Sequence, residues 1–231
     1  MNDDFLWVEK YRPKTVEQTI LQSQLKDTFA KIVESGEIPN MLFTGTAGLG
    51  KTTVAKAICE QLQLDYIVIN GSEEGNIDTL RGKIKQFASS ISLQGGYKVV
   101  ILDEADYISP NGQAALRGVM EQYASTCRFL LTCNYERRII PAIHSRCQGF
   151  KILKLDEQSF AERLITILEK ESIDFDAETL ATYVKATYPD LRKCINTCQM
   201  NSQTGKLITP GDGDTGEADV EVTYVAMFQN G

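Results

Sequence analysis

The eight residues Gly45-Thr46-Ala47-Gly48-Leu49-Gly50-Lys51-Thr52 match Gly-x-x-x-x-Gly-Lys-Ser/Thr at every fixed position. Few sequence features constrain a fold more tightly, because the pattern works at only one kind of junction. A strand must run into it, so that the chain arrives at the edge of a sheet. A helix must leave it, so that its glycines can turn successive backbone N–H groups inward at the positive end of the helix. Both neighbours are present. Residues 41–44 form a short apolar run, and residues 51–63 carry helical spacing. The resulting ring of donors suits phosphate oxygens. Lys51 is placed to reach β- and γ-phosphates, the Thr52 hydroxyl to ligate Mg²⁺, and Thr53 to follow in the same turn. Binding of ATP with Mg²⁺ by residues 45–53 is the expectation.

The rest of the chain supplies a matching frame. Candidate strands at 41–44, 66–70, 98–103, 129–133 and 150–153 are near-continuously apolar, as expected of strands covered on both faces. Helical stretches near 23–35, 51–63, 77–90 and 113–123 alternate with them, which predicts an α/β fold with a parallel sheet and flanking helices. After Leu155 the strands stop. Residues 158–170, 177–185 and 190–200 read as three amphipathic helices, a small lid-like domain. Domain boundaries are therefore set at 1–154, 155–201 and 202–231, the last a flexible acidic tail rich in glycine. Its Val220–Glu221–Val222–Thr223–Tyr224 alternation suggests a single strand, and its Asp212 and Asp214 lack the spacing of a calcium loop.

A buried strand that ends in acids beside a phosphate loop carries chemistry. Val99-Val100-Ile101-Leu102 runs into Asp103 and Glu104. Asp103 is expected to hold Mg²⁺ through its water shell, and Glu104 to activate the attacking water. The strand at 129–133 ends in Asn134, which can steady that water from the neighbouring strand; an ordinary turn residue is the alternative. Arg146 lies in a loop before the last strand, where it is suited to reach a neighbouring subunit's phosphates rather than its own. The single histidine, His144, has no carboxylate or second histidine nearby and reads as structural.

Composition narrows the setting. The net charge of −7 argues against wholesale coating of nucleic acid, although five acids and one base within 202–231 account for much of it. Any DNA contact must come from a local basic face. Six scattered cysteines without a Cys-x-x-Cys pair read as buried, reduced thiols. No run approaches the length of a membrane span, and the acidic start lacks the features of a secretion signal, so a cytoplasmic location without membrane is expected.

Taken in order, Trp7-Val8-Glu9-Lys10-Tyr11-Arg12-Pro13, the phosphate loop, Asp103-Glu104-Ala105-Asp106, Ala115-Leu116-Arg117-Gly118-Val119-Met120-Glu121, Ser145-Arg146-Cys147 and Pro189-Asp190-Leu191-Arg192 resemble sliding-clamp loaders. The chain looks like the ATP-hydrolysing large subunit of T-even-like bacteriophages and is similar to replication factor C small subunits. The resemblance implies an AAA+ ATPase domain with a helical lid. It implies assembly with other clamp-loader subunits into a spiral of five that places a ring clamp on primer–template DNA. By the same resemblance, Tyr11, Arg12 and Pro13 line the adenine pocket. Asn134 is sensor 1, Arg146 the finger acting in trans, and Arg192 a lid arginine on the γ-phosphate, while Gln113 couples the DNA-facing helix to Glu104. The resemblance implies a helical collar after the lid that holds the pentamer together; residues 202–231 do not read as one, and no such hold is expected from them.

On the helix at 77–91, Ile77, Leu80, Ile84, Phe87, Ala88 and Ile91 share one face, while Arg81 and Lys85 sit one turn apart on its flank. The resemblance places this helix on template phosphates, which favours Arg81 and then Lys85 as DNA contacts; solvated cations on a core helix are the alternative. The segment 87–93 resembles a clamp-docking element, and core packing explains Phe87 equally well. Two other functions fit the motifs: a different AAA+ DNA motor, such as a branch-migration helicase or replication initiator, and a non-hydrolysing ATP-bound scaffold.

Overall fold

A computed structural model of the chain describes residues 5–73, 77–90, 92 and 96–209. The calls on Ile91, Leu93, Asp212, Asp214 and residues 220–224 lie outside them. The described residues divide into two compact units, one formed by residues 13–153 and the other by the N-terminal residues up to Arg12 with the chain from Lys154 onward.

The larger unit is built on five parallel strands, β1 (Met41–Thr44), β2 (Tyr66–Asn70), β3 (Lys98–Asp103), β4 (Cys127–Cys133) and β5 (Gln148–Lys151). They lie in the order β2-β3-β4-β1-β5. Alternation along the strands sorts side chains between two layers. Val99 and Ile101 of β3 join Phe29, Phe43, Val54 and Ile58, whereas Val100 and Leu102 join Leu80, Ile84, Leu116 and Met120. One face is thus covered by α2 (Ser23–Ser35) and α3 (Lys51–Gln61), the other by α4 (Ile77–Ser89) and α5 (Pro110–Gln122). Ser109 caps α5 by accepting from the Gly112 amide, with Pro110 at the first helical position where its missing N–H costs nothing.

Two expectations need correction here. The central strands β1, β3 and β4 are covered on both faces, but the edge strands β2 and β5 are half exposed, because each has a neighbour on one side only. β5 also lies two residues earlier than the apolar run at 150–153 suggests. Its register is set by pairing of Gln148 and Lys151 with Met41 and Thr44, a backbone constraint that leaves no side-chain pattern.

The smaller unit packs α7 (Glu157–Lys170), α8 (Ala177–Thr187) and α9 (Leu191–Met200) around Phe160, Leu164, Leu168, Tyr183, Cys194 and Cys198. Asp156, Asp176 and Asp190 cap these helices by accepting from the backbone amides of Ser159, Thr179 and Lys193. The amide bonds hold the Asp156 and Asp176 carboxyls below the usual carboxylate range.

The expected first domain, 1–154, includes the short helix α1 (Trp7–Lys10), but that helix belongs to this helical unit. Trp7 is buried in its core and donates its amide to Gln199 Oε1 at 3.0 Å, while the Tyr11 hydroxyl donates to Glu171 at 2.6 Å and Arg163 donates to the Tyr11 carbonyl. Residues 202–209, read with the tail, also close on the unit. Leu207 is buried, its amide donates to the Asp174 carbonyl at 2.8 Å, and Tyr183 donates to the Ile208 carbonyl at 2.7 Å.

All six cysteines are unbridged. Burial pushes the Cys59, Cys133 and Cys147 thiols up to about 12, so they stay protonated at neutral pH. No helix among the described residues is long and apolar enough to cross a membrane.

Candidate nucleotide site

Strand order decides what meets what. β3, β4 and β1 are successive neighbours, so the segments leaving their C-terminal ends are brought together although they lie far apart in the chain. In open parallel sheets this edge is where ligands bind.

The loop after β1 can form only because its glycines tolerate close approach and positive φ. Gly45 has φ 153°, and a Cβ there would lie 2.4 Å from the Ile152 carbonyl oxygen. Gly50 caps α3 in the left-handed region at φ 80°, turning the chain into the helix. Lys51, nearly buried at 7% exposure, then folds back over the loop. Its ammonium donates to the Gly45 carbonyl at 2.9 Å, the Thr46 carbonyl at 2.7 Å and Asn134 Oδ1 at 2.8 Å. Three neutral acceptors thus converge on one cation, and a phosphate oxygen, being charged, competes well for its protons.

Asp103 ends β3 and meets the next residue of the loop, Thr52. Its Oδ1 accepts from the Thr52 hydroxyl at 2.6 Å and from the Thr132 hydroxyl. A hydroxyl and a carboxylate in contact are hard oxygen donors, the type that holds Mg²⁺ while leaving room for its waters and phosphates. The buried lysine beside the loop carbonyls and this oxygen pair fit a magnesium nucleotide.

Glu104, next along, is half-buried and adopts φ 53°, ψ 43°, a left-handed conformation that costs a non-glycine residue about 1–3 kcal/mol. Its amide is pinned by donation to Thr132 Oγ1 at 3.1 Å. Thr132 therefore ties the two acids together, donating to one and accepting from the other. Asp106 lies under the same turn, buried, and its Oδ2 accepts from the amides of Asn134 at 3.3 Å and Tyr135 at 3.0 Å. Its Oδ1 is buried with no hydrogen-bond partner among the described residues.

Lys51, Thr52, Asp103 and Asn134 thus come together as one group, with the Glu104 backbone attached through Thr132. Gln113 is buried in α5. Its amide nitrogen donates to the carbonyls of Ile108 and Arg138, both at 2.9 Å, and its oxygen accepts from the Ile140 amide at 2.8 Å. It bridges the start of α5 to the segment that follows Asn134. Arg146 is taken up by Glu121, Ala142 and Ser145. Arg81 and Lys85 are exposed on α4, Arg81 within 4.0 Å of Asp78. Tyr11, Arg12 and the exposed Arg192 belong to the helical unit, and Pro13 opens the other.

The sequence assigns no role to Thr132, and it shows Asp106 only as a member of the run Asp103-Glu104-Ala105-Asp106. Asp106 had a signal in its spacing from Asp103, while Thr132 is a lone hydroxyl in an apolar strand whose meaning appears only when β3 and β4 are paired. Replacing Thr132 by valine keeps the shape and strands the Glu104 amide. Unfolding free energy is expected to fall by about 1–3 kcal/mol in denaturant titration, the usual cost of an unmade buried bond. Turnover should fall more than nucleotide affinity, because the bond held the Glu104 turn.

Residues 41–155 match the family model of the ATPase family associated with various cellular activities, AAA. The chain is 38% identical over 213 residues to the replication factor C small subunit of Sulfolobus acidocaldarius, covering 90% of this chain and 66% of the relative. It is likewise 38% identical over 216 residues to that of Archaeoglobus fulgidus, covering 91% and 67%. The chain spans about two thirds of the length of these curated relatives. Both relatives are archaeal, and a bacteriophage source is not what they show. In fold the chain is similar to Thermotoga maritima RuvB, with a TM-score of 0.72 over 95% of this chain and 73% of that one at 17% identity. A second structure, the RuvB Holliday junction branch migration motor of the same organism, gives 0.71 at 16% identity. Carried by the extended identity to the archaeal subunits, the conclusion is that this chain belongs to the replication factor C small-subunit family of AAA ATPases.

Proposed function

We propose that the chain is the ATP-hydrolysing subunit of a sliding-clamp loader, working with other loader subunits to place a ring clamp on primer–template DNA in the cytoplasm. The observation that carries this reading is the meeting of Lys51, Thr52, Asp103 and Asn134 at the end of three adjacent strands. Thr52 and Asp103 would hold Mg²⁺, which when bound screens the phosphate charge. Lys51 exchanges its carbonyl acceptors for β- and γ-phosphate oxygens, and the amides of residues 45–53 hold the rest. Asn134 then orients the attacking water, and Glu104 takes its proton. Tyr11, Arg12 and Pro13 serve the base, Arg192 the γ-phosphate, and Arg146 the nucleotide of a neighbouring subunit. Gln113, bonded to both the start of α5 and the segment after Asn134, is suited to couple DNA contact to hydrolysis.

A branch-migration motor is the second reading, favoured by the likeness to RuvB; that likeness is one of fold, at 17% identity against 38% for the replication factor C subunits. A non-hydrolysing scaffold is disfavoured by the presence of both Glu104 and Asn134.

DNA enters through α4, whose Leu80, Ile84 and Ala88 are buried while Arg81 and Lys85 are exposed. The Arg81–Asp78 pair, with side chains 51% and 81% exposed, is screened by water and readily yields to a phosphate. Arg81→Ala is expected to weaken binding of primed DNA without sequence preference. It should also lower the log–log salt slope by about 0.7–0.9, the signature of one lost phosphate contact. Fluorescence anisotropy over a salt series measures this, and an unchanged slope would make Arg81 a solvated flank.

A further inference from the structure

Arg146 follows α6 (Pro141–His144) in a turn that leads into β5, and its guanidinium is already engaged within the chain. Nε donates to Glu121 Oε1 at 3.0 Å, and Nη2 donates to the same oxygen. Nη1 donates to the Ala142 carbonyl at 2.7 Å and the Ser145 hydroxyl at 3.2 Å. Glu121 stands in the last turn of α5 beside the buried Met120, on a helix fixed at its other end by the Ser109 cap. The carboxylate is therefore carried by a rigid element.

Stability is a poor explanation for this contact. The side chains of Arg146 and Glu121 are 32% and 53% exposed, and ion pairs so open to water contribute little. What the contact does well is restrict geometry. An arginine side chain has several rotatable bonds, and one carboxylate oxygen that accepts from Nε and Nη2 together, with the Ala142 carbonyl on Nη1, limits the directions its guanidinium can take. Five N–H donors set against four bonds to described residues leave one uncommitted among them. The longest of the four, to the Ser145 hydroxyl, is the one a phosphate oxygen replaces most readily.

We infer that Glu121 is the positioning residue for Arg146, holding its guanidinium at the angle from which it meets the phosphates of a neighbouring subunit's nucleotide. The inference rests on the reading of Arg146 as a finger acting in trans. It adds a residue with no part in holding the nucleotide or the attacking water, one that sets the finger's effectiveness before the neighbour arrives. The opposite arrangement, in which Glu121 withholds the finger, predicts a gain of activity when the carboxylate is removed.

The test is steady-state ATP turnover by the subunit assembled with its partners on primed DNA. Glu121→Ala, Glu121→Gln, Arg146→Ala and the Glu121→Ala Arg146→Ala pair are compared. Glu121→Ala should lower kcat by about 10- to 100-fold, the effect of a misplaced catalytic group, with KM for ATP and the melting temperature unchanged. Glu121→Gln keeps an acceptor at the same reach and should recover part of the rate. The paired variant should be no slower than Arg146→Ala alone, since a residue acting through another adds nothing once that other is gone. A kcat for Glu121→Ala that is unchanged or raised overturns the inference. So does a paired variant slower than Arg146→Ala by the full Glu121 factor. If Arg146→Ala itself leaves kcat intact, the finger reading falls first and positioning falls with it.

Discussion

Lys51→Ala is expected to lose ATP affinity by about two orders of magnitude, while Glu104→Gln binds ATP as the parent does and turns it over about 10²–10⁴ times more slowly. The difference follows from where each group sits. Lys51 is a nearly buried cation holding two loop carbonyls and Asn134, so its removal takes away charge that the phosphates need in the ground state and also releases the loop. A charge-assisted bond of this kind contributes about 1.5–3 kcal/mol, which accounts for most of the affinity loss. Glu104 acts on the water, so its effect appears only as the transition state forms. Titration with a fluorescent ATP analogue separates the two, and equal losses of affinity would refute the division of roles.

Arg146→Ala is expected to leave the subunit's own ATP affinity nearly intact and to lower DNA-stimulated turnover of the assembled complex by about 10³–10⁵-fold. Arg146 bonds to Glu121, Ala142 and Ser145, a set distinct from the Lys51–Asn134 and Thr52–Asp103 pairs. A finger that serves a neighbour makes a mixing test possible. When Arg146→Ala and Glu104→Gln subunits are combined, one class of interface joins an intact Glu104 to an intact Arg146, and part of the activity should return. If no mixture recovers activity, Arg146 works in its own subunit or only as a structural contact.

Much of the larger unit could be read before any coordinates. Residues 45–52 define a strand-to-helix junction by themselves, and the run Val99–Leu102 could end only near that junction once the sheet was parallel. What could not be read is adjacency across the sheet. The Lys51–Asn134 contact spans 83 residues and depends on β4 lying between β1 and β3. The double role of Thr132 depends on the register in which Leu102 pairs with Leu131, and no local pattern announces either. The helical unit shows the same limit. By sequence Trp7 falls in the 1–154 domain and Leu207 in the acidic tail, yet each completes the core around Tyr183 and Phe160. Burial of a single apolar side chain supplied by a distant segment has no periodicity to betray it.

In the proposed function, the energy of this site drives loading of a ring onto DNA. This is tested most directly by counting ring clamps retained on circular primed DNA after a single round with ATP. The count is made for the complex containing this chain and for the same complex carrying Glu104→Gln. Retention is expected to require ATP and primed DNA, with rings closed and released by the parent complex but held on the stalled loader in Glu104→Gln. Retention that is the same with and without ATP, or closure that proceeds equally well in Glu104→Gln, would contradict it.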